Sequence, residues 1–561
     1  FTSSPTLNMF LVLNAVKLLF VHRLLDSYNV DMFIVILAIE YVVSVYLYFV
    51  ATLATGSRLI FVASYLLQAI FIAVALNYNF IFASNIHINI ISKLYWEFLA
   101  VGENALSTTT AAAAGIALLD VYFAVKLVRD FKNIRSVVFG DTGICVRQII
   151  AGGVALVLAV TSVNAYEFLE TGNSPDRYKE IEDYSLHHYG MFASSYLELY
   201  NFRNTKESVN KLKRWREGNS QQISGKRQQG GVPSVLLIQV ESLDANIIGQ
   251  KWHGKLITPY LSRIAKENVY FPYTLSYRSA GGTSDTEIAI LNNVEPLSDT
   301  PTISIQSYDF PNSLPRVFRN NNFNVRAFHG NEGRYYNRDA AYSQMGYDIF
   351  YDQQRMMLPT EGWGASDARV FDFALQHLSS KRKPFFDYII TMSSHEPFTN
   401  VHNYYTTDRF NDVTPQRLKD YFVSISYTDR SLGLLVNSVR EKYPNSYIFI
   451  FGDHTPYVLR NKSSYGIAMT DVDDRAMQFV PMIIITPDHK KKQESRYAAS
   501  FLDIAPTIIR NNNINYTYQI QGDDLLGELK NTMIPYKGKQ YPRDYLFRAA
   551  AGTRANSFGA N

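Results

Sequence analysis

Five apolar segments follow one another in the first 166 residues, at roughly 8–25, 32–53, 59–77, 110–128 and 149–166. This run limits the possible folds more than any other feature of the chain. Each segment is close to the length of about 20 mostly apolar residues that crosses a hydrocarbon core. Inside lipid the backbone must satisfy its own hydrogen bonds, so such segments are expected to be helices. The first lies too deep in apolar company to be a signal peptide alone. Lys126, Arg129, Lys132, Arg135 and Arg147 sit between the fourth and fifth segments and mark that loop as cytoplasmic. Five spans then put the start of the chain inside and everything after Tyr166 outside. A partly polar stretch at 86–105 is expected to be an amphipathic helix at the outer surface.

From Thr171 onward the chain is a different material, with the composition of a soluble mixed α/β protein. The net charge of +4 over 561 residues gives no reason to expect a nucleic-acid partner. Cys145 is the sole cysteine, which excludes a disulfide framework and any cysteine-based metal site. The expected organisation is a five-helix transmembrane domain at 1–168, a juxtamembrane linker with helices at 169–231, and an extracellular catalytic domain at 232–561. The polar stretch 218–231, rich in Gln, Ser and Gly, is expected to be a flexible entry to that domain.

Beyond Pro233, strand and helix patterns alternate. Buried-strand runs are expected at 235–240, 325–328, 386–390, 447–451 and 482–485, with helices between them, including a long one at 418–439. Thr258 and Pro259 have the chemistry of an N-cap and first helical residue, and Asp367 that of a cap for a helix at 369–378. This alternation predicts an α/β domain with a mostly parallel central sheet covered on both faces.

Nearly all candidate metal and phosphate ligands fall just past the ends of these strands. In an open α/β sheet the binding crevice lies outside the carboxyl ends of the strands, so such residues converge. Glu241 ends the first strand, His329 the second and His395 follows the third, while Asp453 and His454 follow the fourth. Glu241, Asp453 and His454 form a mixed oxygen and nitrogen ligand set, suited to Mn²⁺ or Zn²⁺, with carboxylate-rich sites leaning to Mn²⁺ or Mg²⁺. Burying such carboxylates costs several kcal/mol unless they are paired or bind a metal. Thr283 follows Gly281 and Gly282 and opens a helix, where free N–H groups and the dipole favour phosphate. Ser284 and Glu287 have capping-box spacing. Thr283 is the candidate nucleophile, and His329, Arg338 and His395 are candidate phosphate or leaving-group contacts. Tyr335 and Tyr336 are placed to pack against a glycerol or acyl part.

The motifs Val240-Glu241-Ser242, Gly282-Thr283-Ser284-Asp285-Thr286-Glu287, Phe328-His329-Gly330-Asn331, Tyr336-Asn337-Arg338-Asp339, Ser394-His395-Glu396-Pro397-Phe398 and Gly452-Asp453-His454 resemble those of the lipoteichoic acid synthase family. These are membrane phosphoglycerol transferases with a sulfatase-like domain of the alkaline phosphatase superfamily. Asp503-Ile504-Ala505-Pro506-Thr507 looks like the family's late helix. The resemblance implies that Glu241, Thr283, Asp453 and His454 bind one Mn²⁺, with Mg²⁺ or Zn²⁺ as alternatives. It implies that Thr283 takes up glycerophosphate covalently. It further implies that His329, Tyr336, Arg338 and His395 hold that group, with Tyr336 where family members often carry Trp. The implied donor is phosphatidylglycerol in the bilayer, the acceptor a polyglycerolphosphate chain or its glycolipid primer, and diacylglycerol the by-product.

Other readings remain open at the level of sequence. A sulfatase needs Cys or Ser in a C/S-x-P-x-R context, which the surroundings of Thr283 lack. A phosphoethanolamine transferase with five spans and a Thr nucleophile is the nearer rival, though such proteins usually carry periplasmic disulfides. A catalytically inactive membrane receptor or scaffold on the same fold should have lost a ligand or the nucleophile, and all four residues are present here.

Overall fold

The computed structural model describes residues 4–24, 52–82, 111–139 and, with short breaks and a longer one at 460–476, residues 205–557. The chain divides into two compact units, Phe1–Asn204 and Thr205–Asn561.

In the first unit the described helices are α1 (Pro5–Leu24), α2 (Arg58–Phe82), α3 (Ala111–Arg129) and α4 (Phe131–Phe139). α1, α2 and α3 coincide with the first, third and fourth expected spans. The segments 32–51, 86–105 and 149–166 lie outside the described residues. Among those described, only Arg58–Leu76 within α2 is long and apolar enough to cross a membrane by itself. α1 is apolar but shorter, over Pro5–Val21, and the second and fifth expected spans fall outside the described residues apart from 52–53. Lys17 of α1 and Asp120 of α3 face each other and neutralise each other. Lys17 Nζ lies 2.7 Å from Asp120 Oδ1, and the Tyr65 hydroxyl of α2 donates to the same oxygen at 2.6 Å. Phe10 packs edge-on against Phe123 at 5.4 Å beside them. Leu59, Leu67, Leu118 and Val125 point outward and are largely exposed, as a lipid-facing surface would have them. Residues 131–139 of the basic loop expected after α3 are helical, with Phe131, Ile134 and Phe139 burying one face of α4.

The second unit begins with α5 (Thr205–Asn219) and β1 (Gln221–Gly225), then β2 (Ser234–Val240), the short pair β3 (Lys251–Trp252) and β4 (Lys255–Leu256), α6 (Pro259–Glu267) and β5 (Val269–Ser276). There follow α7 (Thr283–Asn292), α8 (Leu314–Asn320), β6 (Asn324–His329), α9 (Arg338–Met345), β7 (Ile349–Tyr351), α10 (Asp367–His377), β8 (Phe385–Ile390) and α11 (Gln416–Lys442). The last elements are β9 (Ser446–Gly452), β10 (Gln478–Ile485), β11 (Gln493–Glu494), β12 (Ala499–Ser500), α12 (Ile504–Asn511), β13 (Tyr516–Ile520), β14 (Met533–Tyr536), β15 (Lys539–Pro542) and α13 (Arg543–Ser557).

A nine-stranded sheet in the order β11-β5-β10-β9-β2-β8-β6-β7, with β12 also pairing β5, forms the core. It is parallel except for β10, which runs antiparallel to both β5 and β9. The period of two along β2 explains the two-faced covering. Val235 and Leu237 enter the apolar cluster on one face, whereas Leu236, Ile238 and Val240 enter that on the other. Strand β5 escaped the sequence pattern because Pro272 interrupts it. The register of β10 against β5 shifts there, between Val480 and Met482, so a residue without an N–H falls at a bulge.

One capping expectation changes here. Pro259 does open α6 after Thr258, but the Thr258 hydroxyl donates to Ile247 O instead. The free N–H groups of Tyr260 and Leu261 go to Asp429 of α11 at 3.0 and 2.7 Å. Nor is the polar stretch 218–231 a free tether. β1 pairs antiparallel with β13, and the N–H groups of Arg227 and Gln228 donate to Asn515 and Asn513.

Arg326 and Asp387 face each other in the middle of the β6–β8 pairing. The guanidinium donates to both carboxylate oxygens, Nε to Oδ1 at 2.9 Å and Nη2 to Oδ2 at 2.8 Å. Removing one partner of a buried pair strands the other, at about 3–5 kcal/mol. Arg326→Met is therefore expected to lower the unfolding free energy by about that amount in urea titration, whereas the Arg326→Met, Asp387→Leu pair recovers most of the loss.

Candidate active site

The register of the sheet assembles the site. Val240 pairs with Gly452 across β2 and β9, so Glu241 and Asp453 leave the sheet at the same level. Ile390 of β8 pairs with Gln239 and with His329, bringing their strand ends alongside. Gly452 is demanded by this convergence, since a Cβ there would sit 2.0 Å from Leu243 O.

Glu241, Asp453 and His454 are all buried, and one ligand atom of each lies within 4.8 Å of the others. Asp453 Oδ1 accepts from the N–H groups of Ser242 and His454 at 2.8 and 2.7 Å, leaving Oδ2 for the interior of the cluster. Ser242 makes its contact from a left-handed conformation, φ 56°, a strained turn that aims its N–H at the carboxylate. His454 Nε2 lies 3.2 Å from Glu241 Oε1, while its Nδ1 is 3.4 Å from Thr455 O. Burial and the neighbouring Glu241 push the Asp453 carboxyl up; for Glu241, burial acts upward but His454 outweighs it and holds the carboxyl low. Two buried carboxylates side by side, with an imidazole nitrogen aimed between them, fit a divalent cation, which removes the like-charge repulsion that burial magnifies.

Thr283 is the first residue of α7, and its hydroxyl donates to Glu241 Oε2 at 2.9 Å. It therefore stands against the same cluster. Gly282, φ 54°, precedes it at the N-cap. The expected capping box does not form. Ser284 Oγ donates to Gly281 O, and Glu287 turns into the core. Asp285 holds the turn, accepting from Ser279 and Gly281 N–H at 2.7 and 2.9 Å.

His329 is buried at the end of β6, with Nδ1 3.2 Å from Ile390 O. Burial and the Arg338 charge push its pKa down to about 3, so the ring is neutral. With Nδ1–H given to the carbonyl, Nε2 is an acceptor, better suited to a hydroxyl than to a bare phosphoryl oxygen. His395 Nδ1 is 2.6 Å from Glu396 O, and its ring lies 6.0 Å from that of Trp363. Arg338 is buried and is held by Glu287, so one edge of its fork is already taken. The Tyr336 ring lies 5.4 Å from the Arg338 guanidinium, and its hydroxyl is 3.9 Å from where a Cβ on Gly282 would be. Tyr335 packs edge-on against Tyr336 at 4.8 Å.

Several residues that build the site escaped sequence reading. Gln239 donates to Thr283 O at 3.1 Å and to Asp453 Oδ2 at 3.4 Å, and accepts from the Tyr388 hydroxyl. A polar residue inside a buried apolar strand was the available signal. Thr391 Oγ1 accepts from Glu241 N–H, and the Ser394 hydroxyl donates to Glu241 O. Asp367 does not cap its helix; it accepts from Met392 and Ser393 N–H and from the Thr428 hydroxyl, fixing the loop before His395. Glu396, beside His395, is pushed up to about 7 by burial, against the charge of Arg417 3.1 Å away.

Residues 233–511 match the family model described as Sulfatase. The chain is 28% identical to lipoteichoic acid synthase 2 of Bacillus subtilis, over 55% of this chain and 49% of that one. It is 25% identical to the lipoteichoic acid synthase of Staphylococcus saprophyticus, over 56% of this chain and 51% of that one. The chain thus spans about half the length of the curated relatives it matches. Among solved structures, the integral membrane protein lipooligosaccharide phosphoethanolamine transferase A (EptA) from Neisseria meningitidis has the same fold. That match covers 91% of this chain and 95% of that one, with TM-score 0.54 and 14% identity.

Proposed function

We propose, for a chain whose residues 233–511 form a sulfatase-family domain similar to that of lipoteichoic acid synthases, that it is a phosphoglycerol transferase. It moves glycerophosphate from phosphatidylglycerol to a polyglycerolphosphate chain or its glycolipid primer and releases diacylglycerol. The observation that carries this reading is the 2.9 Å hydrogen bond from the Thr283 hydroxyl to Glu241 Oε2, within a cluster of Asp453 and His454 at a helix N-terminus.

Glu241, Asp453, His454 and the Thr283 hydroxyl would hold one divalent cation, Mn²⁺ by the balance of oxygen over nitrogen donors. When bound, the cation lowers the pKa of a coordinated hydroxyl and neutralises phosphoryl oxygens. Thr283 Oγ attacks phosphorus as its proton passes along the existing hydrogen bond to Glu241. The phosphorus bond to the diacylglycerol oxygen breaks, leaving glycerophosphate on Thr283. The N-terminal N–H groups of α7 and the Arg338 charge stabilise the phosphoryl oxygens. We assign proton exchange with the departing and then the incoming oxygen to His395. Neutral His329 accepts from a glyceryl hydroxyl. Transfer to the terminal hydroxyl of the acceptor regenerates Thr283. The apolar N-terminal unit, with its candidate span, supports a multi-pass membrane anchor with the catalytic unit outside, where its lipid substrate is at high local concentration.

The full chain in vesicles, given labelled phosphatidylglycerol and Mn²⁺, is expected to release diacylglycerol and to make a larger labelled product. Phosphatidylethanolamine in its place should give less than about a tenth of the rate, since the burial and Arg338 charge that keep His329 neutral also disfavour an ammonium, whereas a glycerol head group is uncharged. Turnover of phosphatidylethanolamine alone would make the protein a phosphoethanolamine transferase.

A further inference from the structure

Glu287 is fully buried, one helical turn beyond Thr283 on α7, and among the described residues its carboxylate accepts from Arg338 and Tyr342 of α9. Arg338 Nε lies 3.1 Å from both of its carboxylate oxygens, and Nη2 is 2.7 Å from Oε1. The Tyr342 hydroxyl donates to Oε2. A fork bound in this way presents a phosphate with a guanidinium whose charge is already matched. We propose that Glu287 is a specificity-determining residue, tuning the site to singly charged phosphodiesters over doubly charged phosphomonoesters and inorganic phosphate. The proposal rests on the reading that Thr283 and Arg338 face the phosphoryl group.

The charges around that group support it. Arg338 and Glu287 cancel. His329 is neutral, being pushed down to about 3 by burial and Arg338. Glu241 and Asp453 together match one divalent cation. A phosphodiester brings a single negative charge, but a phosphomonoester carries nearly two at neutral pH. Beyond these groups the described residues place Arg278 near His454, with Glu396 also within its reach, and a second, unmatched charge in low dielectric is strongly disfavoured. Glu287 is also tied to the nucleophile by the rigid first turn of α7. The same carboxylate therefore fixes the height of Arg338 relative to Thr283.

The test uses the full chain, Mn²⁺ and two chromogenic esters of one phenol, a methyl phosphodiester and a phosphomonoester, so it does not depend on the lipid substrate. Glu287→Gln keeps the shape and removes the charge. Its diester-to-monoester ratio of kcat/KM is expected to fall by about tenfold or more, as expected for one unit charge at short range in a poorly screened site. Glu287→Asp should keep the ratio near that of the native chain. Inorganic phosphate, followed as a thermal shift without any turnover, should bind the Gln variant about tenfold more tightly. Should Glu287→Gln not fold, the paired Glu287→Met, Arg338→Met chain decides the matter. Replacing a neutral pair as a unit should lower both rates and leave their ratio within about threefold. A ratio and a phosphate affinity unmoved by Glu287→Gln, or a collapsed ratio in the paired variant, would overturn the proposal. Loss of phosphatidylglycerol turnover in the native chain, with the diester preference intact, would instead count against the lipid reading alone.

Discussion

Thr283→Ala is expected to reduce diacylglycerol release from phosphatidylglycerol by at least about 10³-fold and to leave no covalent intermediate, the usual scale for deleting a nucleophile. Intact-protein mass measurement after a short exposure to substrate should show an added glycerophosphate on the native chain and none on the variant. Folding should hardly change. The N-cap of α7 is Gly282, and the turn is held by Asp285 and Ser284, so the Thr283 hydroxyl does not cap the helix. That hydroxyl donates to Glu241, so the thermal midpoint should move by only a few degrees. That contrast separates a lost nucleophile from a lost fold. Turnover near the native rate in Thr283→Ala would remove the residue from the mechanism and leave the cluster as a structural metal site.

Asp453→Asn should have a comparable effect on turnover, on the order of 10³-fold, because a ligand's share of charge stabilisation at the reacting phosphoryl group goes with it. Its effect on stability should run the other way in chelator-treated protein. There, two buried carboxylates lie side by side, and Asp453 is pushed up by burial and Glu241. Asn keeps an oxygen for the N–H groups of Ser242 and His454 and turns an N–H toward Glu241. The metal-free variant is thus expected to melt at or above the temperature of the metal-free native chain. Adding Mn²⁺ should raise the native midpoint by several degrees and the variant's by little, as expected when only one folded form binds the ion. Equal Mn²⁺-dependent shifts in the two proteins would place the ion elsewhere.

Much of the candidate site was legible because its residues sit at strand ends. Glu241, His329 and Asp453 each end or follow an apolar run that the structure shows to be a strand. The period of two and the turn residues carry that information locally. The partnerships among them were not legible. Glu287 has the spacing of a capping residue, and Asp367 has the chemistry of one, yet both carboxylates are used elsewhere. Pairing across 51 residues with Arg338, and across 25 or more with Met392 and Thr428, leaves no local trace. Strand β5 was hidden by Pro272, whose missing N–H is harmless only because it falls at a bulge of β5 itself, where three steps from Phe271 to Thr274 oppose two from Met482 to Val480. The stretch 218–231 looks like a tether by composition, and only the edge offered by β13 converts part of it to a strand. In the N-terminal unit, Lys17 and Asp120 are charges inside apolar helices, and only the folded structure shows that they pair.

The sequence alone therefore settled the alternation of strands and helices, the apolar character of the first third, and which side chains stand at the carboxyl ends of strands. These follow from periodicity and turn chemistry, which act over a few residues. Which of those side chains share one cation-sized space, which edge of Arg338 is taken, and where orphan N–H groups find acceptors were decided by register and packing. Those depend on groups far apart in the chain meeting at hydrogen-bond distance, and buried charges accept only the partners that the folded sheet brings to them.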